Sequence, residues 1–254
     1  MKQIIILLKY ELKSQFYSSS TYIASVLFLS LMGFLYCLVL EDFSQSPREG
    51  LPTSEFFNLF WLPVFITVPL LTMKSFAEER RMGTLESLLT TPVSISIVVI
   101  SKFLSAYIFY LIIWTLTLGF PIIAWYLIPT ASIDPRILDP ASLIGGYTFI
   151  AISGFLYVSL GIFSSSLTRS QLVAGMLTFS LLFICLVGGR IILDLPIIDV
   201  PSLHWIKIPI DYFQTFQHLE DFSRGIIDSR PFFFYMSSAF LLLTITSLKL
   251  EYKA

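Results

Sequence analysis

Residues 77–93 read AEERRMGTLESLLTTPV, a charged stretch between two long apolar runs. Its glutamates, arginines and leucines favour a helix, and Met82, Leu85, Leu88 and Leu89 fall on one face of that helix. The helix would be too short to cross a bilayer. Because its apolar face needs cover, we expect it to lie at the membrane surface and dock into a groove of a soluble partner. An ordinary surface loop between spans is the alternative interpretation.

Two residues limit this predicted docking helix. Gly83 costs about 1 kcal/mol relative to alanine inside a helix, which predicts a break or a close packing contact there. Pro92 disfavours the helical conformation of the residue before it, so we expect the helix to end near that position or the next helix to begin there. We therefore predict the docking helix over about residues 77–91.

The composition places most of the chain in a membrane. Of the 254 residues, 56% are hydrophobic and only 13% are charged, and the mean hydropathy is +0.81. Soluble domains carry roughly 25% charged residues. No room is left for a second globular domain, so we expect a single transmembrane domain over residues 1–254, in an all-α polytopic membrane protein.

Six apolar segments are long enough to span the hydrocarbon core, which takes about 20 helical residues. The predicted spans are residues 21–40, 56–73, 103–128, 141–164, 171–189 and 231–248. The second contains Pro63 and Pro69, where we expect kinks. In the fourth, Gly146, Gly154 and Gly161 form a stripe that is typical of close helix packing inside a bundle, with a subunit interface as the alternative.

The basic residues predict the orientation, because lysine and arginine are enriched in cytoplasmic loops. With both termini in the cytoplasm, ten basic residues lie inside: Lys2, Lys9, Lys13, Lys74, Arg80, Arg81, Lys102, Arg169, Lys249 and Lys253. Six then lie outside: Arg48, Arg136, Arg190, Lys207, Arg224 and Arg230. Cytoplasmic termini are therefore expected.

Two further amphipathic segments lie outside the predicted spans. Residues 1–17 have apolar residues and Glu11 at helical spacing, with lysines that can face anionic headgroups, which predicts an interfacial helix. Its alternative is the basic flank of the first span. Residues 212–227 are predicted to form an outer helix whose apolar side chains face the membrane: Phe213, Phe216, Leu219 and Phe222.

Several chemistries lack a sequence signal. The chain has no Walker A pattern and no G-x-G-x-x-G, and His204 and His218 have no second ligand at metal spacing. The interiors of the predicted spans carry no ionisable residue, whereas secondary transporters and intramembrane enzymes normally place such groups there. We predict no catalytic, cofactor or metal site and no nucleic-acid partner, which leaves a pathway or lever driven from outside, or a scaffold.

The sequence also resembles a known family. Residues 76–93, FAEERRMGTLESLLTTPV, followed by Lys102, resemble the coupling-helix region of ABC-2 type permeases. Residues 164–171, SSSLTRSQ, and 218–230, HLEDFSRGIIDSR, resemble the gliding-motility-associated permease group, to which the nitrous-oxide-reductase maturation permease is related. With its six-span pattern, the resemblance covers nearly the whole chain.

The resemblance implies an ABC-2, type V exporter-like transmembrane domain in a bacterial inner (plasma) membrane. The chain would be the permease subunit of an ATP-driven transporter, with ATP and Mg bound by a separate cytoplasmic ATPase subunit. Expected partners are that ATPase, a second permease copy or paralogue, membrane lipid, and, as in the gliding group, an auxiliary subunit with a large extracytoplasmic domain. The alternative is a non-transporting membrane scaffold that recruits a soluble partner through the 77–91 helix.

The residues of the coupling helix that the resemblance implies for ATPase docking are Glu78, Glu79, Arg80, Arg81, Gly83, Thr84, Leu85, Glu86, Leu88 and Leu89. The leucines would fill a groove of the ATPase, and the charges would set register and partner choice. The sequence does not separate the charges that face the partner from those that face the spans. Arg169, in the next cytoplasmic loop, would be a second contact or simply part of a turn.

Overall fold

The computed structural model describes residues 2–45, 52–84, 94–127, 139–188, 191, 214–226 and 228–252. Within these ranges the regular secondary structure is entirely helical. The helices are α1 (Lys2–Tyr17), α2 (Ser19–Gln45), α3 (Pro52–Asn58), α4 (Trp61–Thr72), α5 (Ala77–Met82), α6 (Ile95–Leu116), α7 (Gly119–Leu127), α8 (Pro140–Leu167), α9 (Gln171–Phe183), α10 (Thr215–Ser223) and α11 (Ser229–Tyr252), with a π-helical turn at Ile184–Gly188. The predicted all-α fold is confirmed for the described part of the chain.

Among the described residues, five helices are long and apolar enough to cross a membrane: Ser19–Phe43, Ile95–Tyr126, Pro140–Leu167, Gln171–Gly188 and Ser229–Tyr252. A sixth span results if α3 and the run Trp61–Met82, which are bent by 47° relative to each other, are counted together. The architecture therefore agrees with a bundle of up to six spans.

The bend in the second span lies just before Pro63. Proline has no N–H to donate to the carbonyl four residues earlier, and the Leu59 carbonyl instead accepts a hydrogen bond from the nitrogen of Leu62 at 3.3 Å. The chain makes a tight turn at this point before α4 begins at Trp61. The second proline, Pro69, is accommodated inside α4. The expected kink is therefore present, and it lies at the first of the two prolines.

The long helix α8 forms the centre of the bundle, where it packs against α6, α9, α10 and α11. Its glycine stripe lets side chains of neighbouring helices reach its backbone, because a Cβ added at each position would lie 2.2–2.4 Å from one of them. The pairs are Gly146 with Phe57, Gly154 with Tyr110, and Gly161 with Thr72. The stripe thus serves packing within the bundle, as its spacing predicts.

The third span begins earlier than hydropathy predicts. Its helix, α6, starts at Ile95 after an extended Ser94, eight residues before the expected start at residue 103. Lys102 therefore lies inside the helix, about two turns from its beginning. The sequence had predicted that it lies in the preceding loop. The helix of the third candidate span therefore carries a buried ionisable residue near its beginning, since Lys102 is 3% exposed.

The amphipathic helix near residue 220 packs differently from expectation. It covers Thr215–Ser223 rather than residues 212–227, and Leu219 and Phe222 are buried in the core instead of facing the membrane. Gly145 of α8 makes this possible, because any side chain there would collide with the Phe222 carbonyl. Phe216 packs against the core as well, and Phe213 lies outside the described residues.

The N-terminal helix α1 packs mainly against α6. The rings of Phe16 and Phe109 meet edge to face with centroids 5.2 Å apart, and Leu7 packs against the core. Ile5 and Ile6 on another face are exposed. The helix is therefore attached to the third span along one side and leaves an apolar side uncovered.

Candidate docking and transmission site

The short helix α5 is fixed to α8 by the hydroxyl group of Ser165. This oxygen accepts hydrogen bonds from the backbone nitrogens of Phe76 and Ala77, at 3.0 and 3.1 Å. It donates its own hydrogen to the carbonyl of Met73, 3.1 Å away. The first N–H groups of a helix have no partner within the helix, so a side chain from the central helix satisfies them here. Ser165 thereby sets the position at which α5 leaves the second span.

A buried ion-pair cluster, the Lys102 cluster, joins α5 to two other helices. The Lys102 Nζ of α6 lies 2.7 Å from Glu11 Oε1 of α1 and 2.6 Å from Glu79 Oε1 of α5. It also lies 5.5 Å from the centre of the Phe76 ring. The two carboxylates are 15% and 21% exposed, so all three charges are largely withdrawn from solvent. Ion pairs with this degree of burial are screened far less than surface pairs.

The charged side chains of α5 differ in their burial, which the sequence alone did not show. Half-buried side chains are Glu78, Glu79 and Arg80, and exposed ones are Arg81, Met82 and Thr84. Glu79 faces the spans, since it bonds to Lys102, whereas Arg81, Met82 and Thr84 are exposed to solvent. The outward residues are the ones available to a partner.

Gly83 ends α5 in a left-handed conformation with φ of +71°. Its nitrogen reaches the carbonyl of Arg80 at 3.4 Å, and the Thr84 hydroxyl donates to the carbonyl of Glu79 at 3.3 Å. Glycine adopts this conformation without the steric cost of a side chain, and it is a common helix terminator. The predicted helix over residues 77–91 is therefore interrupted at Gly83. The remaining predicted docking residues, Leu85, Glu86, Leu88 and Leu89, lie outside the described residues.

Arg169 lies in the exposed turn between α8 and α9, the two helices against which α5 packs. Burial lowers the pKa of Arg80 in α5, and the nearby positive charge of Arg169 lowers it further. With Arg81, these side chains place three guanidinium groups around one end of the bundle. Such a surface favours an acidic partner by charge complementarity.

A cleft of about 620 Å³ lies beside the Lys102 cluster, between α1 and the region where α4 leads into α5. Its lining includes Ser14 of α1 and Lys74 and Glu78 near the start of α5. The cleft limits direct packing between α1 and α5 on this side. The contacts through Lys102 are therefore an important connection between these two helices.

Helix α10, which packs against α8, carries a half-buried histidine with a hydroxyl neighbour. His218 Nδ1 lies 3.3 Å from the Tyr235 hydroxyl. Burial lowers the pKa of His218, and the carboxylates of Asp221 and Asp228 oppose that effect. No group of three or more potential metal ligands occurs among the described residues. His218 is thus a packed polar side chain with a tyrosine partner.

These features together define a multi-pass membrane protein with a short polar helix fixed to one end of its bundle. The sequence model of the ABC-2 family transporter proteins matches residues 5–245. The chain therefore belongs to the ABC-2 family transporter proteins and is a membrane permease component of an ABC transporter. Membership in this family implies association with an ABC ATPase subunit, and its members are generally not themselves catalytic. No curated protein matches the chain.

Sequence reasoning missed two residues of this site, Ser165 and Glu11. Glu11 left a signal, because it occupies the same helical face as Leu7 and Leu8. An acidic residue on an apolar face needs a buried partner. Ser165 lies in a run of three serines at the end of the fourth span, and its contact with residues 76 and 77 depends on tertiary packing that no local pattern records.

Proposed function

We propose that the chain is the permease subunit of an ATP-driven exporter in which residues 77–91, the docking segment, bind a separate cytoplasmic ABC ATPase. The observation that carries this proposal is the placement of α5. Ser165 and Lys102 hold its inner side to the spans, while the side chains of Arg81 and Met82 are exposed. A helix held in this way can bind a partner on one side and act on the bundle on the other.

The proposed docking surface continues beyond Gly83. Leu85, Leu88 and Leu89 would fill an apolar groove of the ATPase, because their spacing places them on one face of a helix. Glu78, Arg80, Arg81, Thr84 and Glu86 would set the register by polar contacts, and Arg169 would add a second contact. Glu79 has a different role, since its carboxylate is engaged by Lys102. ATP and Mg would bind to the ATPase subunit alone.

The same proposal includes the assembly and its orientation. The distribution of lysine and arginine supports cytoplasmic termini in a bacterial inner membrane, with α1 at the cytoplasmic interface. A second permease copy or paralogue would complete the transmembrane unit. The resemblance of residues 218–230 to the gliding-motility-associated group supports an auxiliary subunit with an extracytoplasmic domain.

Co-purification tests this proposal directly. Tagged chain would be solubilised in detergent with the ATPase encoded beside it, and ATP hydrolysis would be measured with and without the chain. We expect a stable complex whose hydrolysis rate differs from that of the free ATPase. The double substitution Leu85→Asp and Leu88→Asp should abolish the complex while membrane insertion remains normal.

Ser87→Asp is the matched control, because Ser87 lies nearly opposite the leucines on a helical projection. It adds the same charge to the other face and should leave the complex intact. If the Leu85/Leu88 variant still binds the ATPase at normal yield, the docking assignment is wrong. If the folded wild-type chain binds no ATPase at all, the result favours a scaffold that recruits another soluble partner.

A further inference from the structure

The Lys102 cluster connects three separate parts of the chain at a single nitrogen atom. Glu11 belongs to the N-terminal helix α1, Glu79 to the docking segment and Lys102 to the third span, α6. The two N–O distances of 2.7 and 2.6 Å are those of strong charge-assisted hydrogen bonds. Any displacement of α5 therefore acts on an atom that also holds α1.

Because the Lys102 cluster is buried, its ion pairs are costly to break. Lys102 is 3% exposed, and separating a charge from its partner in such surroundings leaves it both desolvated and unpaired. The second oxygen of the Glu79 carboxylate is buried as well and has no hydrogen-bond partner in the described structure. Glu79 therefore depends on Lys102 for compensation of its charge. The cluster is expected to move as a unit rather than to open.

The other attachment of α5 leads to a different helix. Ser165 connects the start of α5 to α8 through neutral hydrogen bonds. The cleft between α1 and the α4–α5 region leaves little direct packing there, whereas α1 packs extensively along α6. A push on α5 can thus reach the centre of the bundle through Ser165, and it can reach α1 and α6 through Lys102.

We propose that Lys102 is the positioning residue that transmits displacement of the docking segment to α1 and the third span, with Glu79 and Glu11 as its two attachment points. This inference rests on the proposed function, since the displacement would come from the bound ATPase. It assigns to α1 a part in the transport cycle, as a helix that moves with the docking segment. Lys102 itself contacts neither the ATPase nor a substrate in this assignment.

Distance measurements between spin labels test the transmission. Cys37 and Cys185 would be replaced by alanine, and labels would be placed at Ile6 on α1 and at Leu248 on α11, both well exposed. In the complex with its ATPase, we expect the distance distribution to shift between the nucleotide-free and ATP–vanadate states. With Lys102→Met, the ATPase should still co-purify, but less than a third of that shift should remain.

Charge exchange distinguishes transmission from simple structural damage. Glu79→Lys alone places two cations together and should also suppress the shift. The double variant Lys102→Glu with Glu79→Lys restores one cation between two carboxylates and should recover it. Lys9→Met, which removes an exposed lysine of α1, is the control and should leave the shift unchanged. A wild-type shift in Lys102→Met, or failure of the exchange to recover it, would overturn the proposal.

Two further measurements cover the remaining outcomes. If Lys102→Met does not fold, Glu79→Ala replaces it, because it keeps the Lys102–Glu11 pair but removes the attachment of α5, and it should therefore uncouple α1 and α6 from the nucleotide state. If the wild-type chain binds no ATPase, the proposed function fails, and the cluster is tested on the chain alone. Lys102→Met should then broaden the Ile6–Leu248 distance distribution, and an unchanged distribution would show that Lys102 does not position α1.

Discussion

Ser165 accepts a hydrogen bond from the backbone nitrogen of Phe76 at 3.0 Å, although the two residues are 89 positions apart in the chain. The contact joins the end of the central helix α8 to the beginning of α5. Since Phe76 and Ala77 are both fully buried, water cannot replace the serine hydroxyl as their acceptor. Ser165 therefore fixes the point at which the docking segment leaves the bundle.

Ser165→Ala should weaken this attachment. The backbone N–H groups of Phe76 and Ala77 would lose their acceptor, which costs about 1–3 kcal/mol for buried groups. We expect a lower midpoint of thermal unfolding in detergent and faster tryptic cleavage after Arg80 and Arg81. Ser164→Ala is the matched control, since the Ser164 hydroxyl, equally buried, only donates to Leu160 of its own helix. Equal effects of the two substitutions would contradict the assignment.

Gly161→Ala should destabilise the bundle. Its Cβ would lie 2.2 Å from the Thr72 Oγ1, so α4 would have to move away from α8. Overpacking of this kind costs about 1–3 kcal/mol. The measurement is the thermal midpoint of the purified protein. Gly175→Ala serves as control, because a Cβ there meets only Met73 atoms at 3.7 Å or more. A midpoint for Gly161→Ala equal to that of the control would show that the helices adjust without cost.

The span pattern could be predicted from the sequence because a bilayer imposes one requirement on every spanning helix. Backbone groups must be paired inside the segment, so long apolar runs mark the helices directly. The glycine stripe of α8 was predictable for a similar reason, since Gly146, Gly154 and Gly161 repeat on one side of a single helix. In both cases the information lies within one segment.

The start of α6 was less predictable. Lys102 interrupts an apolar run, and a charge at that position normally marks the end of a span. The structure instead pairs it with Glu11 and Glu79, which compensate its charge and allow the helix to begin at Ile95. The partners come from positions 91 and 23 residues away. Glu11 and Glu79 come close to Lys102 only through tertiary packing, which the pattern of a single segment cannot show.

The packing of α10 could not be predicted from the sequence for the same reason. Apolar residues at every third position up to Leu219 and Phe222 predict an amphipathic helix, but they do not show what covers its apolar side. Gly145, 77 positions earlier, gives the backbone of Phe222 access to α8, so the apolar side of the helix packs against the bundle rather than lipid. The existence of the helix was thus predictable, and its packing partner was not.

Gly83→Ala should weaken ATPase binding through the backbone alone. A Cβ at this position meets nothing within 4 Å, so the only cost is the left-handed conformation at φ of +71°, about 1–2 kcal/mol. We expect a lower yield of co-purified ATPase, because the segment after α5 would leave at another angle. Gly119→Ala is the control, since its Cβ is equally unobstructed and its φ is not positive. Full ATPase yield with Gly83→Ala would mean that docking tolerates another path for the chain.

The stability of the protein should depend on pH through His218. Burial lowers the pKa of His218 in the folded protein below its ordinary value of 6.5, while Asp221 and Asp228 partly counteract burial. The unfolded chain therefore binds a proton more readily than the folded one, and stability is highest above pH 6.5. It should decline as the pH falls from about 6.5 through the lowered folded pKa.

Thermal midpoints in detergent between pH 8 and pH 5.5 measure this dependence. His218→Gln should flatten the decline, because glutamine takes up no proton in this range and can still meet the Tyr235 hydroxyl. His204→Gln, which changes the other histidine of the chain, should leave the decline unchanged. A decline that persists in His218→Gln would assign the pH dependence to a group other than His218.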